Sequence, residues 1–244
     1  MAIRIDVWSD VVCSWCYIGK RRLEHALAAF PHKDEVEIVH RAFQLDPSAP
    51  RDHAEPVLEH LAAKYGTSVE QAKTMQARVS QIAAAEGLEY HLDRTLSGNT
   101  FDAHRVLKLA RERGREAEVL ERFYRAYFTE AQPLFDAASL ARVAAEAGLD
   151  PAEVERVLAA DTYAADVEAD RYEAGKLGAN GVPFFVVAGR YGISGAQPLE
   201  LFEQVLDRAW SDAHPATLTP IGDAAEACAD DACAVPETES PARG

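Results

Sequence analysis

Cys13-Ser14-Trp15-Cys16 puts two thiols one helical turn apart, directly after a short alternating apolar run, Ile3-Arg4-Ile5-Asp6-Val7-Trp8. That is where a dithiol redox site would sit. At the exposed start of a helix the first thiol meets unpaired backbone N–H groups and the positive end of the helix dipole, and both favour thiolate over thiol. The second thiol lies within reach to resolve a mixed disulfide. The same spacing also occurs in one half of many zinc sites and in chance pairs, so the elements around it must decide.

At 244 residues with 48% apolar side chains, the chain suits one domain carrying a large insertion and can bury a substantial core. Arg4 and Asp6 interrupt the early apolar stretch, and no basic segment leads into a long apolar run, so a signal peptide is not expected. Nor does any stretch approach the roughly 18 apolar residues that a membrane-spanning helix needs. The expected location is cytoplasmic, where structural disulfides are rare and a close Cys pair is more often catalytic or metal-binding. A formal net charge of -15 repels phosphate backbones and anionic lipid, which argues against nucleic-acid and membrane partners.

The elements that must hold the dithiol follow from periodicity. Leu23, Ala26, Leu27 and Phe30 recur at helical spacing before Pro31, and 36–45 reads as a second strand ended by Asp46-Pro47. These make a β-α-β unit with parallel strands over residues 1–53. From 54 to 178 Ala, Glu, Leu and Arg dominate, with breaks at Gly66, Ser97-Gly98-Asn99, Gly114, Gln132-Pro133 and Gly148; an all-helical insertion of six or seven helices is expected. Strand character returns in 179–210 as a hairpin over 182–187 and 191–193, then a helix opened by Pro198 and carried through Trp210. The acidic segment 211–244, poor in large apolar residues, is expected to be mobile and holds Cys228 and Cys233.

This α/β order resembles the thioredoxin fold as elaborated in the DsbA family, over roughly residues 3–210. The segments Asp6 to Gly19, Asn99-Thr100-Phe101-Asp102-Ala103-His104-Arg105, Gly181-Val182-Pro183-Phe184-Phe185 and Ser194-Gly195-Ala196-Gln197 resemble its FrnE-type branch, known for cytoplasmic dithiol oxidoreductases and for members encoded with polyketide pathways. The resemblance implies that Cys13 attacks, Cys16 resolves, and Pro183 is a cis-proline facing them. A cis Pro183 would aim the Val182 backbone at the dithiol, where an extended substrate segment could pair with it; the plainer reading is a trans-proline opening an edge strand. Trp15 would contact substrate. Ser14 offers no imidazolium between the thiols, unlike the Cys-Pro-His-Cys members, so a weaker oxidant is expected.

Other candidates carry two readings each. Asn99 or Thr100 can cap the helix that holds His104, or can sit beside the dithiol and bind a carboxylate of substrate or glutathione. His104 can be packed or can tune a thiol, and Asp10 can stabilise a turn or accept a proton. Cys228 and Cys233 can form an exposed disulfide that exchanges with Cys13 and Cys16, can be incidental, or can join them around zinc.

Three functional classes follow. The first is a thiol-disulfide oxidoreductase or isomerase, needing no cofactor beyond glutathione as a redox partner, acting on protein or glutathione disulfides. The second is a glutathione-dependent isomerase or transferase like 2-hydroxychromene-2-carboxylate isomerase and the kappa-class glutathione transferases, which share this architecture. Those relatives typically have Ser for the first Cys and no second thiol, and Gln197 stands where they tend to carry an Asp-Arg pair. The third is a non-enzymatic zinc or thiol sensor or an accessory protein. Physiological substrate, direction of electron flow and oligomeric state are not fixed by the sequence.

Overall fold

The computed structural model describes residues 2–51 and 53–215. Strand β1 (Ile3–Ser9) leads into helix α1 (Ser14–Ala29), and β2 (Val36–Ala42) returns parallel to β1, pairing Ile3 with Val36 and Ser9 with Ala42. After the insertion, β5 (Phe184–Val187) runs antiparallel on the other side of β1, and β6 (Tyr191–Ser194) completes a four-stranded sheet in the order β2-β1-β5-β6. Helix α9 (Leu199–Ala213) closes the chain's second half. An interior strand of the sheet, β1 buries Ile3, Ile5 and Val7 on one face and Trp8 on the other, while Arg4 is exposed and Asp6 half-buried. Ile3, Ile5 and Val7 meet Leu23, Ala26, Phe202 and Leu206 of α1 and α9, while Trp8 packs on the opposite face with Phe184 and Ala174.

The insertion supplies seven α-helices among the described residues: α2 (Val57–Tyr65), α3 (Val69–Ala85), α4 (Phe101–Glu112), α5 (Glu116–Tyr124), α6 (Ala137–Glu146), α7 (Pro151–Ala159) and α8 (Ala164–Lys176). It is not all helical. A two-stranded antiparallel sheet joins β3 (Ala54–Pro56) to β4 (Leu96–Gly98). Each strand has three residues, too few to show alternation, and their pairing spans about forty residues of sequence, so no local signal existed. Gly98 is required there because a Cβ would lie 2.7 Å from the Phe135 ring. A π-helical turn, Arg125–Thr129, continues α5, also without a period that sequence could show.

Several ends differ from expectation: β5 starts at Phe184 instead of Val182, and β6 runs one residue on, to Ser194. Strand β2 stops at Ala42 instead of Leu45, because Gln44 and Leu45 are drawn aside by Asn99 and Asp10: Gln44 Nε2 donates to Asn99 Oδ1 at 3.1 Å and the Leu45 N–H to Asp10 Oδ2 at 2.8 Å. Helix α9 runs three residues past Trp210, its last turn held by Asp212, which accepts from Tyr191 Oη and pairs with Arg208 at 3.3 Å. Cys228 and Cys233 lie outside the described residues.

Candidate active site

The dithiol sits where the two cores meet. The larger core, built from the insertion around Phe123, Tyr124, Phe128 and Leu134, reaches across to include Cys13, Cys16 and Ile18. Cys13 is the N-cap of α1, in extended conformation, with its N–H donating to the Asp10 carbonyl at 3.1 Å and its own carbonyl accepting from the Cys16 N–H at 3.0 Å. No side chain caps the helix, so its first N–H groups face the end occupied by Cys13, where negative charge is favoured.

The two thiols are free and unequal. Cys13 is 6% exposed and Cys16, one turn deeper, 2%. Burial, then the hydrogen bond and charge of Cys13, push the Cys16 thiol well above its ordinary range, while a backbone hydrogen bond from Asp10 works the other way. The surroundings of Cys16 therefore favour its neutral thiol.

The Val182-Pro183 bond is cis, as expected, and Cys13 Sγ donates to the Val182 carbonyl at 3.6 Å. Gly195 N–H donates to the Pro183 carbonyl at 2.8 Å, so the end of β6 holds this turn in place. Against it packs Gly19 of α1: a Cβ there would lie 3.0 Å from Pro183 Cγ and 3.2 Å from Phe185 Cζ. The missing side chain lets α1 approach the proline loop closely enough for the sulfur to meet Val182.

Beside the thiols lies a groove of about 340 Å³, floored by Cys13 and Val182 and walled by Trp15, Leu45, Leu61, Tyr65 and Met75. Trp15 is 38% exposed, Tyr65 56% and Met75 46%, a cluster of apolar side chains open to solvent beside the Cys13 sulfur. Lys64 brings the one charge among the described lining residues. Sequence reading gave the Trp15 end of this groove but not its α2–α3 wall, whose helices show no chemical motif.

Two further contributors were invisible in the sequence. Tyr90 Oη donates to the Ser14 carbonyl at 2.9 Å, fixing the backbone between the two cysteines. Its ring stacks on Phe128 at 4.7 Å, and Tyr17 stacks on Tyr124 at 4.8 Å, so an aromatic layer backs the dithiol. Tyr17 Oη donates to Glu121 at 2.6 Å. Burial would raise the Glu121 carboxyl, but Lys20, Tyr17 and Arg21 together hold it below the usual carboxylate range.

The remaining sequence candidates fall elsewhere. Asn99 is buried with its amide bonded at both ends: Oδ1 accepts from Gln44 Nε2 and from the Phe101 N–H at 2.9 Å, and Nδ2 donates to the Ala49 carbonyl at 2.7 Å. Thr100 is the N-cap of α4 by position, yet its side chain makes no capping bond. Neither lines the groove. Gln197 turns its amide back to donate to the Ser194 carbonyl at 2.7 Å. No helix among the described residues is long and apolar enough to cross a membrane.

Sheet order, the insertion between the two halves, and a Cys-x-x-Cys capping α1 opposite a cis-proline together define a family signature. The family model for the DSBA-like thioredoxin domain matches residues 4–207. The chain belongs to the DSBA-like thioredoxin domain family. Among solved members of this fold, a probable DsbA oxidoreductase from Streptomyces coelicolor is 51% identical, with a TM-score of 0.83 over 96% of this chain and 100% of that one. The 2-hydroxychromene-2-carboxylate isomerase is 15% identical, with a TM-score of 0.61 over 86% of this chain and 97% of that one. The cytosolic disulfide reductase DsbM from Pseudomonas aeruginosa, solved with GSH, is 18% identical, with a TM-score of 0.59 over 85% of this chain and 98% of that one. At such identities the last two bear on the fold alone. Membership of the DSBA-like family places this chain among oxidoreductases and isomerases and supports a redox role.

Proposed function

We propose that this chain is a cytoplasmic thiol-disulfide oxidoreductase of the FrnE type that acts on protein disulfides, with glutathione as its small redox partner. The observation that carries the reading is the pairing of Cys13, facing the Val182 carbonyl beside a cis-proline, with a buried Cys16 one turn behind it. Cys13 attacks a substrate disulfide and forms a mixed disulfide, releasing one substrate thiol. Cys16 then attacks Cys13 Sγ, closing the Cys13–Cys16 bond and releasing the second thiol. While the intermediate lasts, the Val182 carbonyl, freed from the Cys13 thiol, can accept a backbone N–H of the substrate segment.

The groove supports a protein substrate over free glutathione. Glutathione brings two carboxylates, and Lys64 is the one cation among the described lining residues, whereas apolar residues flanking a protein disulfide would fit against Trp15, Tyr65 and Met75. Cys16 also weighs against the isomerase alternative, since a single-nucleophile reaction has no use for a second buried thiol one turn behind the first.

Two measurements test this. Titration in glutathione buffers across roughly -280 to -120 mV should show reversible two-electron oxidation of Cys13-Cys16. With a peptide disulfide, Cys16→Ser should accumulate a mixed disulfide on Cys13, seen by intact mass. If Cys13 and Cys16 never join and only a stable glutathione adduct forms, the isomerase or transferase reading takes over.

A further inference from the structure

A second cavity, of about 390 Å³, lies on the α1 side of the sheet and shares no lining residue with the groove beside the dithiol. One row of the sheet forms its floor. Val7 pairs with His40 on one side and with Phe185 on the other, and directly opposed residues of neighbouring strands point to the same face, so the three side chains stand together, with Ile38 of β2 beside them. Lys20, Leu23 and Glu24 of α1 make one wall. Glu116 and Ala117, at the start of α5, make the other, and the exposed Arg111 reaches in from the end of α4. An apolar floor with a few polar groups converging on it, in a space of this size, is the ordinary make-up of a small-molecule site.

The polar groups say what kind of molecule would fit. His40 Nδ1 is buried without a hydrogen-bond partner, a costly state for a ring nitrogen. Burial, with Lys20, Arg111 and Lys108 nearby, lowers the imidazole pKa to about 3, so the ring is neutral and can carry its hydrogen on Nδ1. Most charges around it are already matched. Lys20 is shared by Glu24 and Glu121, Glu24 also takes Arg21 at 2.8 Å, Glu118 faces Arg115 at 3.7 Å, and Lys108 is bound to Asp170. Glu116 accepts from the His40 N–H at 3.3 Å, and burial pushes its carboxyl up, toward the neutral form. Arg111 is held loosely: it lies 3.4 Å from Glu37 and 3.6 Å from Glu116, well beyond the roughly 2.7–2.9 Å of a charge-assisted hydrogen bond.

We propose that this cavity binds a small monocarboxylate with an apolar body, the carboxylate accepting hydrogen bonds from Arg111 and from His40 Nδ1–H while the body lies on Val7, Ile38 and Phe185. A second negative charge on the ligand would meet Glu24 and Glu118, so a dicarboxylate or a phosphate dianion fits less well. The site does not depend on the dithiol reading, and neither does its test.

Octanoate serves as the test ligand and octan-1-ol as its uncharged counterpart, each titrated into the full chain by calorimetry and by ¹⁵N spectra of histidine-labelled protein, with the His40 ring signals assigned by their loss in His40→Gln. Octanoate should bind one to one and move the His40 Nδ1 signal, and octan-1-ol should bind about tenfold more weakly, the scale of one charge-assisted hydrogen bond. Arg111→Met should weaken octanoate by a similar factor and leave octan-1-ol unchanged. Ala117→Trp, which fills the cavity from an exposed helical position, should abolish binding of both. A His40 signal unmoved at the highest octanoate concentration overturns the proposal, because the ring nitrogen then meets water only. Equal affinity for octanoate and octan-1-ol overturns the carboxylate assignment, and wild-type binding by Ala117→Trp overturns the location. If Ala117→Trp does not fold, Arg111→Met decides, since its side chain is exposed: undiminished octanoate affinity there overturns the site.

Discussion

Cys13 and Cys16 have the same side chain and opposite surroundings: one ends a helix beside an open groove, the other lies within the aromatic layer of Tyr17, Tyr90 and Tyr124. The backbone between them is set by one hydrogen bond from a distant loop. Tyr90→Phe removes that donor to the Ser14 carbonyl while keeping the stack on Phe128, and should cost about 1 kcal/mol in urea unfolding of the reduced chain. A loss near zero in that titration would mean that water replaces the phenol and that the Ser14 carbonyl needs no protein partner.

Two contacts between elements set the site's geometry. Helix α1 approaches the proline loop only because position 19 has no side chain, so Gly19→Leu should force them apart. Overpacking of this kind costs about 1–3 kcal/mol. Here it should also slow the reaction of Cys13 with an added disulfide, because the sulfur loses its place beside Val182; unchanged thiol reactivity would refute that geometry. On the opposite face of the sheet, Asp170 of α8 ties the insertion to the thioredoxin half. Its carboxylate accepts from Arg41 at 2.9 Å, from the Ala42 N–H at 2.8 Å and from Lys108, while its carbonyl accepts from Trp8 Nε1 at 2.9 Å. Asp170→Asn removes the buried carboxylate that Lys108 pairs with and one of Arg41's partners, Asp6 at 2.9 Å remaining, and should lower stability by about 3 kcal/mol, read as a reduced urea midpoint.

At the scale of the whole molecule, buried ionisable groups limit the pH range on both sides. His40 of β2 has its Nδ1 buried without a partner, and burial, with Lys20, Arg111 and Lys108 nearby, depresses its pKa from 6.5 to about 3. Between those values the unfolded chain binds a proton that the folded one refuses, so stability falls as pH drops below about 6.5. His40→Gln should flatten that acid limb in unfolding measured between pH 7 and pH 4. On the alkaline side the sign reverses in pH but not in effect. Cys16 and Tyr124 are raised by burial, so the unfolded chain loses protons first and stability falls as pH climbs through the ordinary thiol and phenol range. Oxidation of Cys13-Cys16 removes the thiol part, and the alkaline limb of the oxidised chain should be shallower than that of the reduced chain; identical limbs would show that Cys16 does not contribute.

The sequence by itself determined the dithiol spacing, the β-α-β and β-β-α halves and the mostly helical insertion, because each rests on local periodicity or residue type; a cis Pro183 facing the thiols came only from the family resemblance carried by several motifs in fixed order. Short strands escaped it: β3 and β4 exist only through pairing with each other, and β2 ends early because Asn99 and Asp10, distant in sequence, claim the residues that follow. Only the tertiary structure decided which groups surround the sulfurs. Tyr90 reaches Ser14 across 76 positions, His104 reaches Asp10 from another helix, and the apolar wall of α2 and α3 gains meaning only where it meets Trp15. The family resemblance offered Asn99 and Thr100 as binding residues, with helix capping as the other reading; in the fold Asn99 holds the loop after β2 and neither lines the groove. Periodicity records which face of an element is buried; it does not record what that face meets, and the chemistry of this site is made of such meetings.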